Sequence, residues 1–474
     1  MTERSTTEPL VIRESGEEAQ LTGVRAAWAR VPNPARFLIL ILLVSLMPAG
    51  VSSDYIVRVG LNTMILGLLA LGLNVVVGWS GLLDLGYVAF FGFGAYLYAI
   101  LSSDQFHLHW PAVASIPLIV LASALLGILI GLPSRRLLGD YLAILTLFFG
   151  QAFVTLVSNA DRITPPGFDH PVNFTGGPIG INGVDNIHSF GFTISSVRGY
   201  YYFVLVVFAI VAACLYSLNR SRTGRAWLSL REDPLAAQLM GMPVNRLKLL
   251  AFMLGAAVAG LTGTLFAAVQ VGVFPGNFEL ALLITIYAMV ILGGAGSMTG
   301  VILGVIVVNV VLEILRTPDP ARWDFYGAIV ATLVLLIRPW KRLAAVVVGT
   351  LLFGIGVHVL VTHVWPSAAH GNPPGGGLVA RVVDRWVVLL TNPNTPGHIA
   401  YGVLLVLVAL MTQVKGTWRM VMLVPVLYLA AFCWENVLVD NPSVARLILL
   451  GALLIALMNA RPQGLLGTAR IEIA

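Results

Sequence analysis

Chemistry at a protein site needs ionisable or nucleophilic side chains held within reach of one another, and this sequence offers few such places. Its eight histidines (His107, His109, His170, His188, His358, His363, His370 and His398) fall mostly between apolar runs, not at the helical spacing of a zinc site. His107 and His109 stand two apart in a polar connection, which reads as solvated surface. The three lysines, Lys248, Lys341 and Lys415, follow Leu, Trp and Val, so none is the lysine of a glycine-rich phosphate loop. The acidic residues Asp84, Asp140, Glu279 and Glu313 lie near the ends of apolar runs, whereas an ion relay needs them at membrane depth. Cys214 and Cys433 sit inside apolar runs and read as small buried hydrophobes, without a disulfide framework. These residues predict no catalytic group, no metal and no cofactor on this chain.

One polar island departs from that pattern. Arg220 to Lys248 reads RSRTGRAWLSLREDPLAAQLMGMPVNRLK. Asp233 can cap a helix, Pro234 suits its first turn, and Gly241 followed by Pro243 ends it after about two turns. A helix that short is unstable alone in water and must rest on a partner or on the rest of its loop. Leu235 with Leu239, and Ala236 with Met240, are four apart and form one apolar face. Ala236 and Ala237 allow another backbone to come close.

The elements that must carry this island are membrane spans. Hydrophobic residues make up 58% of 474, charged residues 11%, and the mean hydropathy is +0.89, far from the soluble globular range. Apolar windows predict an all-α, polytopic bundle of about fourteen spans, near 37–53, 57–78, 83–101, 111–132, 140–158, 199–218, 248–271, 279–294, 298–315, 325–338, 343–364, 399–414, 419–435 and 445–460. With the N-terminus inside, Arg135/Arg136, Arg220 to Lys248, Arg338 to Arg342, Lys415/Arg419 and the Arg461/Arg470 tail all fall on the cytosolic side, as does the C-terminus. The net charge of +6 is therefore a topology signal and does not point to nucleic acid. Residues 1–36 lack the apolar core of a secretory signal and read as a cytosolic tail. Leu378 to Leu390, interrupted by Arg381, Asp384 and Arg385, reads as an interfacial helix.

Glycine spacing marks the remaining candidates. Gly255, Ala259 and Gly263, and Gly300 with Gly304, recur every fourth position and line faces for close helix packing. Gly78 to Asp84 and Gly293 to Ser297 interrupt apolar segments, as membrane helices do where a substrate passes or where a hairpin turns. Asn74, Ser80, Asp84 and Tyr87 cluster at the first break, and Gly293, Gly294 and Gly296 form the second; both are candidates for a translocation path. Asn173 to Gly183 lies in a long outer connection, where Thr175, Gly176 and Gly177 could form a contact turn. Glu279, Asn309 and Glu313 read as interfacial anchors.

LGLNVVVGWSGLLDLGYVAFFGFGAYLYAIL (Leu71 to Leu101), LLGDYLAILTLFFG (Leu137 to Gly150), NFTGGPIGING (Asn173 to Gly183), GRAWLSLREDPLAAQLMGMPVNRLKLLAF (Gly224 to Phe252) and AMVILGGAGSMTGVILG (Ala288 to Gly304) resemble, in order and spacing, the permeases of branched-chain amino acid ABC importers. The pattern is similar to the larger of the two permease subunits, over Val57 to Arg316, and returns at RPQGLLG (Arg461 to Gly467). The resemblance implies a bacterial inner-membrane subunit partnered by a second homologous permease, two ABC ATPases and an extracytoplasmic binding protein. It also implies that Pro234 to Met240, capped by Asp233 and ended at Gly241, is the coupling helix that docks on the ATPase, with Arg225, Arg231 and Glu232 as flanking charges. Leu235 stands where that family often has Glu. The resemblance also extends to relatives linked to urea or short amides, which the motifs do not exclude, and an ATP-independent facilitator or channel is the reading from another class. The chain divides into a tail (1–36), a permease core (37–316), an additional block (317–460, with an extracytoplasmic loop over 364–398) and a second tail (461–474).

Overall fold

The computed structural model describes residues 41–42, 44–134, 139–164, 171–189, 191–314, 340–366, 394–414 and 417–438, with shorter stretches within 322–334, 383–391 and 451–466. The tail over 1–36, Arg135/Arg136, most of the loop over 364–398 and the expected span near 445–460 lie outside them. The chain forms two compact units, Met1–Val57 and Arg58–Ala474. The first includes the short helix α1 (Met47–Gly50); the second carries every site described below.

Long apolar runs with few charges dictate helices, because a helix satisfies all its backbone polar groups internally. In order they are α2 (Asp54–Leu73), α3 (Tyr87–Leu101), α4 (Ala112–Ser134), α5 (Asp140–Asn159), α6 (Val197–Arg220), α7 (Arg222–Glu232), α8 (Pro234–Leu239), α9 (Val244–Gln270), α10 (Leu280–Gly293), α11 (Met298–Ile314), α12 (Trp340–Val364), α13 (Asn394–Gln413) and α14 (Thr417–Cys433). Wider π-helical turns extend α2 over Asn74–Trp79 and α14 over Trp434–Leu438. Among the described residues, eight helices are long and apolar enough to cross a membrane, and three shorter apolar helices accompany them. The expected span near 325–338 falls largely outside the described residues.

Burial separates central from peripheral helices. The apolar window of α2 with its π turn is 72% buried and that of α9 56%, whereas α4 reaches 22% and α12 17%. Helix α9 packs against α3 and α4, and the four-residue repeat of small side chains explains how. A Cβ at Gly263 would collide with the Phe91 carbonyl, and one at Gly94 with Gly260. Gly300 and Gly304 likewise press on Gly293 and Met289, closing the α10–α11 hairpin.

Among the described residues, four two-residue strands add little sheet: β1 (Ile181–Asn182) pairs antiparallel with β4 (Gly272–Val273), and β2 (His188–Ser189) with β3 (Phe192–Thr193). Three expectations change. Cys433 is buried but Cys214 is exposed, on a face of α6 that this chain leaves uncovered. Asn309 does not anchor at an interface; its Nδ2 donates to Thr63 Oγ1 at 2.7 Å and joins α11 to α2. Of the expected interfacial helix over 378–390, residues 388–390 form no helix and Val387, Val388 and Leu389 are buried, since Asn436 takes up their backbone groups.

Candidate functional site

Helix α8 forms where local chemistry predicts. Asp233 Oδ1 accepts from Leu235 N at 2.8 Å and Ala236 N at 3.0 Å, and Gly241 at φ +79° stops the helix in a conformation L side chains rarely adopt. Six residues cannot hold themselves as a helix, so the seat matters. Ala237 supplies it by turning inward, 3% exposed, while Leu235, Leu239 and Met240 stand 69%, 87% and 80% exposed. Ala237 thus serves the chain's own packing, and the apolar surface offered outward is Leu235, Leu239 and Met240. A cleft lined by Gln238, Met242, Pro243, Val244, Asn245 and Arg246 lies beside it.

The helix before it points the other way. In α7, Trp227 and Arg231 are four residues apart and share one face. Trp227 is fully buried, donates from Nε1 to Leu247 O at 2.9 Å and stacks on Trp79 with ring centroids 6.2 Å apart. Arg231, expected as a charge for a partner's surface, turns into the bundle. Its Nη1 donates to the carbonyls of Gly78 (2.5 Å) and Ala295 (3.3 Å). One guanidinium therefore holds both glycine breaks at the foot of α8.

The breaks are tied directly as well. Asn74 Oδ1 accepts from Gly296 N at 2.8 Å, and Trp79 Nε1 donates to Gly296 O at 3.1 Å. Gly78 is required there, because a Cβ would strike both Asn74 Oδ1 and Gly296 N. Gly294 and Gly296 take φ of +109° and +96°, which lets the chain turn tightly from α10 to α11. Leu465 N and Leu466 N donate to the carbonyls of Leu292 and Gly293, so residues 464–466, the described part of the C-terminal motif, dock on the second break.

Asn74, Ser80, Gly293, Gly294 and Gly296 thus come together at one end of the bundle, while Asp84 and Tyr87 form a neighbouring cluster. Asp84 Oδ1 accepts from Gly86 N, Tyr287 donates to the Asp84 carbonyl at 2.6 Å, and Thr146 Oγ1 accepts from Leu85 N. Asn74, Ser80, Asp84 and Tyr87 are all buried in this chain. Among the described residues, Asp84 Oδ2, Tyr87 Oη and Asn74 Nδ2 find no hydrogen-bond partner.

In the connection between α5 and α6, Thr175 and Gly177 face inward: Thr175 Oγ1 donates to Val157 O at 2.7 Å and accepts from Gly177 N at 3.3 Å. Gly176 N donates to Asn173 Oδ1. The turn presents Pro178 and Ile179 outward, Ile179 at 75% exposure. In the same region His109 Nδ1 meets Asp185 Oδ2 at 2.7 Å. That hydrogen bond and the Asp185 charge raise the His109 pKa above its ordinary value.

Comparison with known proteins is consistent with this geometry. The family described as "Branched-chain amino acid transport system / permease component" matches residues 55–337. The chain is similar to the high-affinity branched-chain amino acid transport system permease proteins LivM of Salmonella typhimurium and of Escherichia coli K12. Each is 38% identical over 303 residues, covering 59% of this chain and 68% of the relative. It is also similar to BraD of Pseudomonas aeruginosa, at 27% over 259 residues, covering 51% of this chain and 79% of the relative. No solved structure matches. Both breaks, α7 and α8 lie inside the matched region; α12 to α14 lie beyond it.

Proposed function

Because this chain belongs to the family of branched-chain amino acid transport permease components, we propose that it is the membrane-spanning permease subunit of an ATP-driven importer. In this reading it is a multi-pass protein of the bacterial inner membrane with both termini cytosolic. A second homologous permease completes the bundle, two ABC ATPases dock on the cytosolic face, and an extracytoplasmic binding protein delivers a branched-chain or similar amino acid.

The observation that carries the reading is Arg231. A transporter without its own nucleotide site must receive work through contact, so it needs a docking knob joined to the part that moves. Helix α8 is the knob, with Leu235, Leu239 and Met240 exposed for a groove on the ATPase. Helix α7 is the lever, and Arg231 joins it to the Gly78 and Ala295 carbonyls where two membrane segments are broken. Movement of α8 is thereby passed to both breaks at once. In this reading selectivity rests with the delivering protein.

The test is reconstitution with the second permease, the ATPases and the binding protein. Leu239→Asp combined with Met240→Asp places charge on the knob and leaves the Ala237 seat intact. The expected result is loss of ATPase copurification and of uptake, with an unchanged elution profile for the chain itself. Wild-type uptake at full rate without ATP or ATPases would instead make the chain a facilitator.

A further inference from the structure

The connection between α3 and α4 holds a cluster that transport does not use. Asp104, His107 and His109 each bring one ligand atom within 4.8 Å of the other two, and all three are exposed. Asp104 Oδ1 lies 3.3 Å from His109 Nε2. That is the separation of two neighbouring ligands on a tetrahedral ion with bonds of about 2.0–2.1 Å. The other nitrogen of the same ring, Nδ1, is 2.7 Å from Asp185 Oδ2. A carboxylate on one imidazole nitrogen fixes the tautomer and leaves the second nitrogen as a lone-pair donor, the usual outer-shell support of a metal-bound histidine.

The loop is set before any ion arrives. Ser103 bridges to Val184, Asp185 N donates to Ser102 O at 2.6 Å, Gln105 Nε2 donates to Asn173 O at 2.8 Å, and Phe106 packs on Phe174 at 5.9 Å. His107 and His109 take φ of +53° and +42°, a region L side chains rarely occupy.

We propose that Asp104, His107 and His109 form a three-ligand site for a borderline divalent transition metal ion, Zn²⁺ above all, with Asp185 orienting His109 from the neighbouring segment. Two imidazoles with one carboxylate favour Zn²⁺ and its neighbours over Mg²⁺ or Ca²⁺, which take oxygen ligands. The fourth position falls to water. Since Asp185 belongs to the connection between α5 and α6, an occupied site clamps two loops together. This inference does not depend on the transport reading.

The experiment uses the full chain, purified in detergent on a tag without histidine and stripped with chelator. Zn²⁺ binding is measured by calorimetry, and Co²⁺ binding by the visible absorption of a low-coordinate site. One equivalent is expected, with a rise in the thermal midpoint. Asp104→Asn combined with His107→Gln and His109→Gln should lose at least ~100-fold in affinity and abolish the midpoint shift. The single change His107→Gln, which keeps the Asp185 tie, should lose about tenfold or more and serves if the triple variant does not fold. Asp185→Asn should keep the stoichiometry and weaken binding about 10–100-fold. Absence of binding, or equal binding in wild type and ligand variants, overturns the site; wild-type affinity in Asp185→Asn overturns the orienting role.

Discussion

Among the described residues two arginines turn inward, and the difference between their partners separates the permease core from the C-terminal block. In the C-terminal block Arg322 is fully buried and its Nε lies 2.9 and 3.2 Å from the two carboxylate oxygens of Glu435. Tyr326 donates to the same carboxylate at 3.1 Å, and Phe325 stacks on Trp434 at 4.3 Å. In the permease core Arg231 is half-buried and bonds the carbonyls of Gly78 and Ala295. A guanidinium facing a carboxylate in low dielectric is neutralised and hard to move, since separation strands two charges. One facing two carbonyl dipoles near a helix foot can exchange them for water or for other carbonyls at small cost. On the proposed function, the first arrangement would act as a lock and the second as a hinge.

The strongest way to break that comparison is Glu435→Ala. It leaves Arg322 buried without its carboxylate, and removing one partner of a buried pair costs about 3–5 kcal/mol. The expected outcome is a lower thermal midpoint in detergent, with uptake per folded molecule unchanged in the reconstituted transporter. Arg322→Met with Glu435→Leu should recover most of the midpoint, because the pair rather than either group alone is at stake. A wild-type midpoint in Glu435→Ala would show that the lock carries no load.

Arg231→Ala comes next in size for stability but first for activity. Loss of hydrogen bonds from a charged donor costs about 1.5–3 kcal/mol, yet the effect on uptake should exceed the effect on folding. ATP hydrolysis should continue while transport falls by about tenfold or more, as expected when a lever is cut and the knob kept. Both bonds leave one nitrogen, Nη1; Arg231→Lys keeps a charged nitrogen with several donors but on a side chain one bond shorter, so it should recover only part. If uptake falls only in proportion to folded protein, Arg231 is a packing residue and no hinge.

How far these features were legible follows from the separation of the partners along the chain. Helix α8 was legible almost to the residue, because Asp233, Pro234 and Gly241 act within a few positions of each other. The small-residue faces of α9 and α11 were legible for the same reason. The two breaks were visible as glycines, but their union was not, since Asn74 and Gly296 lie 222 positions apart and Arg231 and Gly78 lie 153 apart. A local signal for Arg231 did exist: it shares the α7 face with Trp227, four residues before it. Thr175, Gly176 and Gly177 read as a possible contact turn, but loop composition does not reveal which way a turn points, and Thr175 and Gly177 are buried. Glu435 escaped notice because a single carboxylate at the end of an apolar run looks like a span boundary until its arginine, 113 positions away, is placed beside it.

The smallest effect, and the one that sharpens the hinge reading most, is Asp233→Ala. The Asp233 carboxylate satisfies Leu235 N and Ala236 N at the start of α8, and removing such a cap costs about 0.5–2 kcal/mol of local helix stability. The global midpoint should barely move, because α8 contributes one inward residue, Ala237, to the core. Amide exchange in Leu235 to Met240 should rise, and the ATPases should bind more weakly because docking must then order the helix as well as bury it. Asp233→Ser, which keeps a cap, should restore both. Faster exchange with unchanged ATPase affinity would mean that the partner does not read α8, leaving Arg231 as a tie between the two breaks rather than the end of a lever.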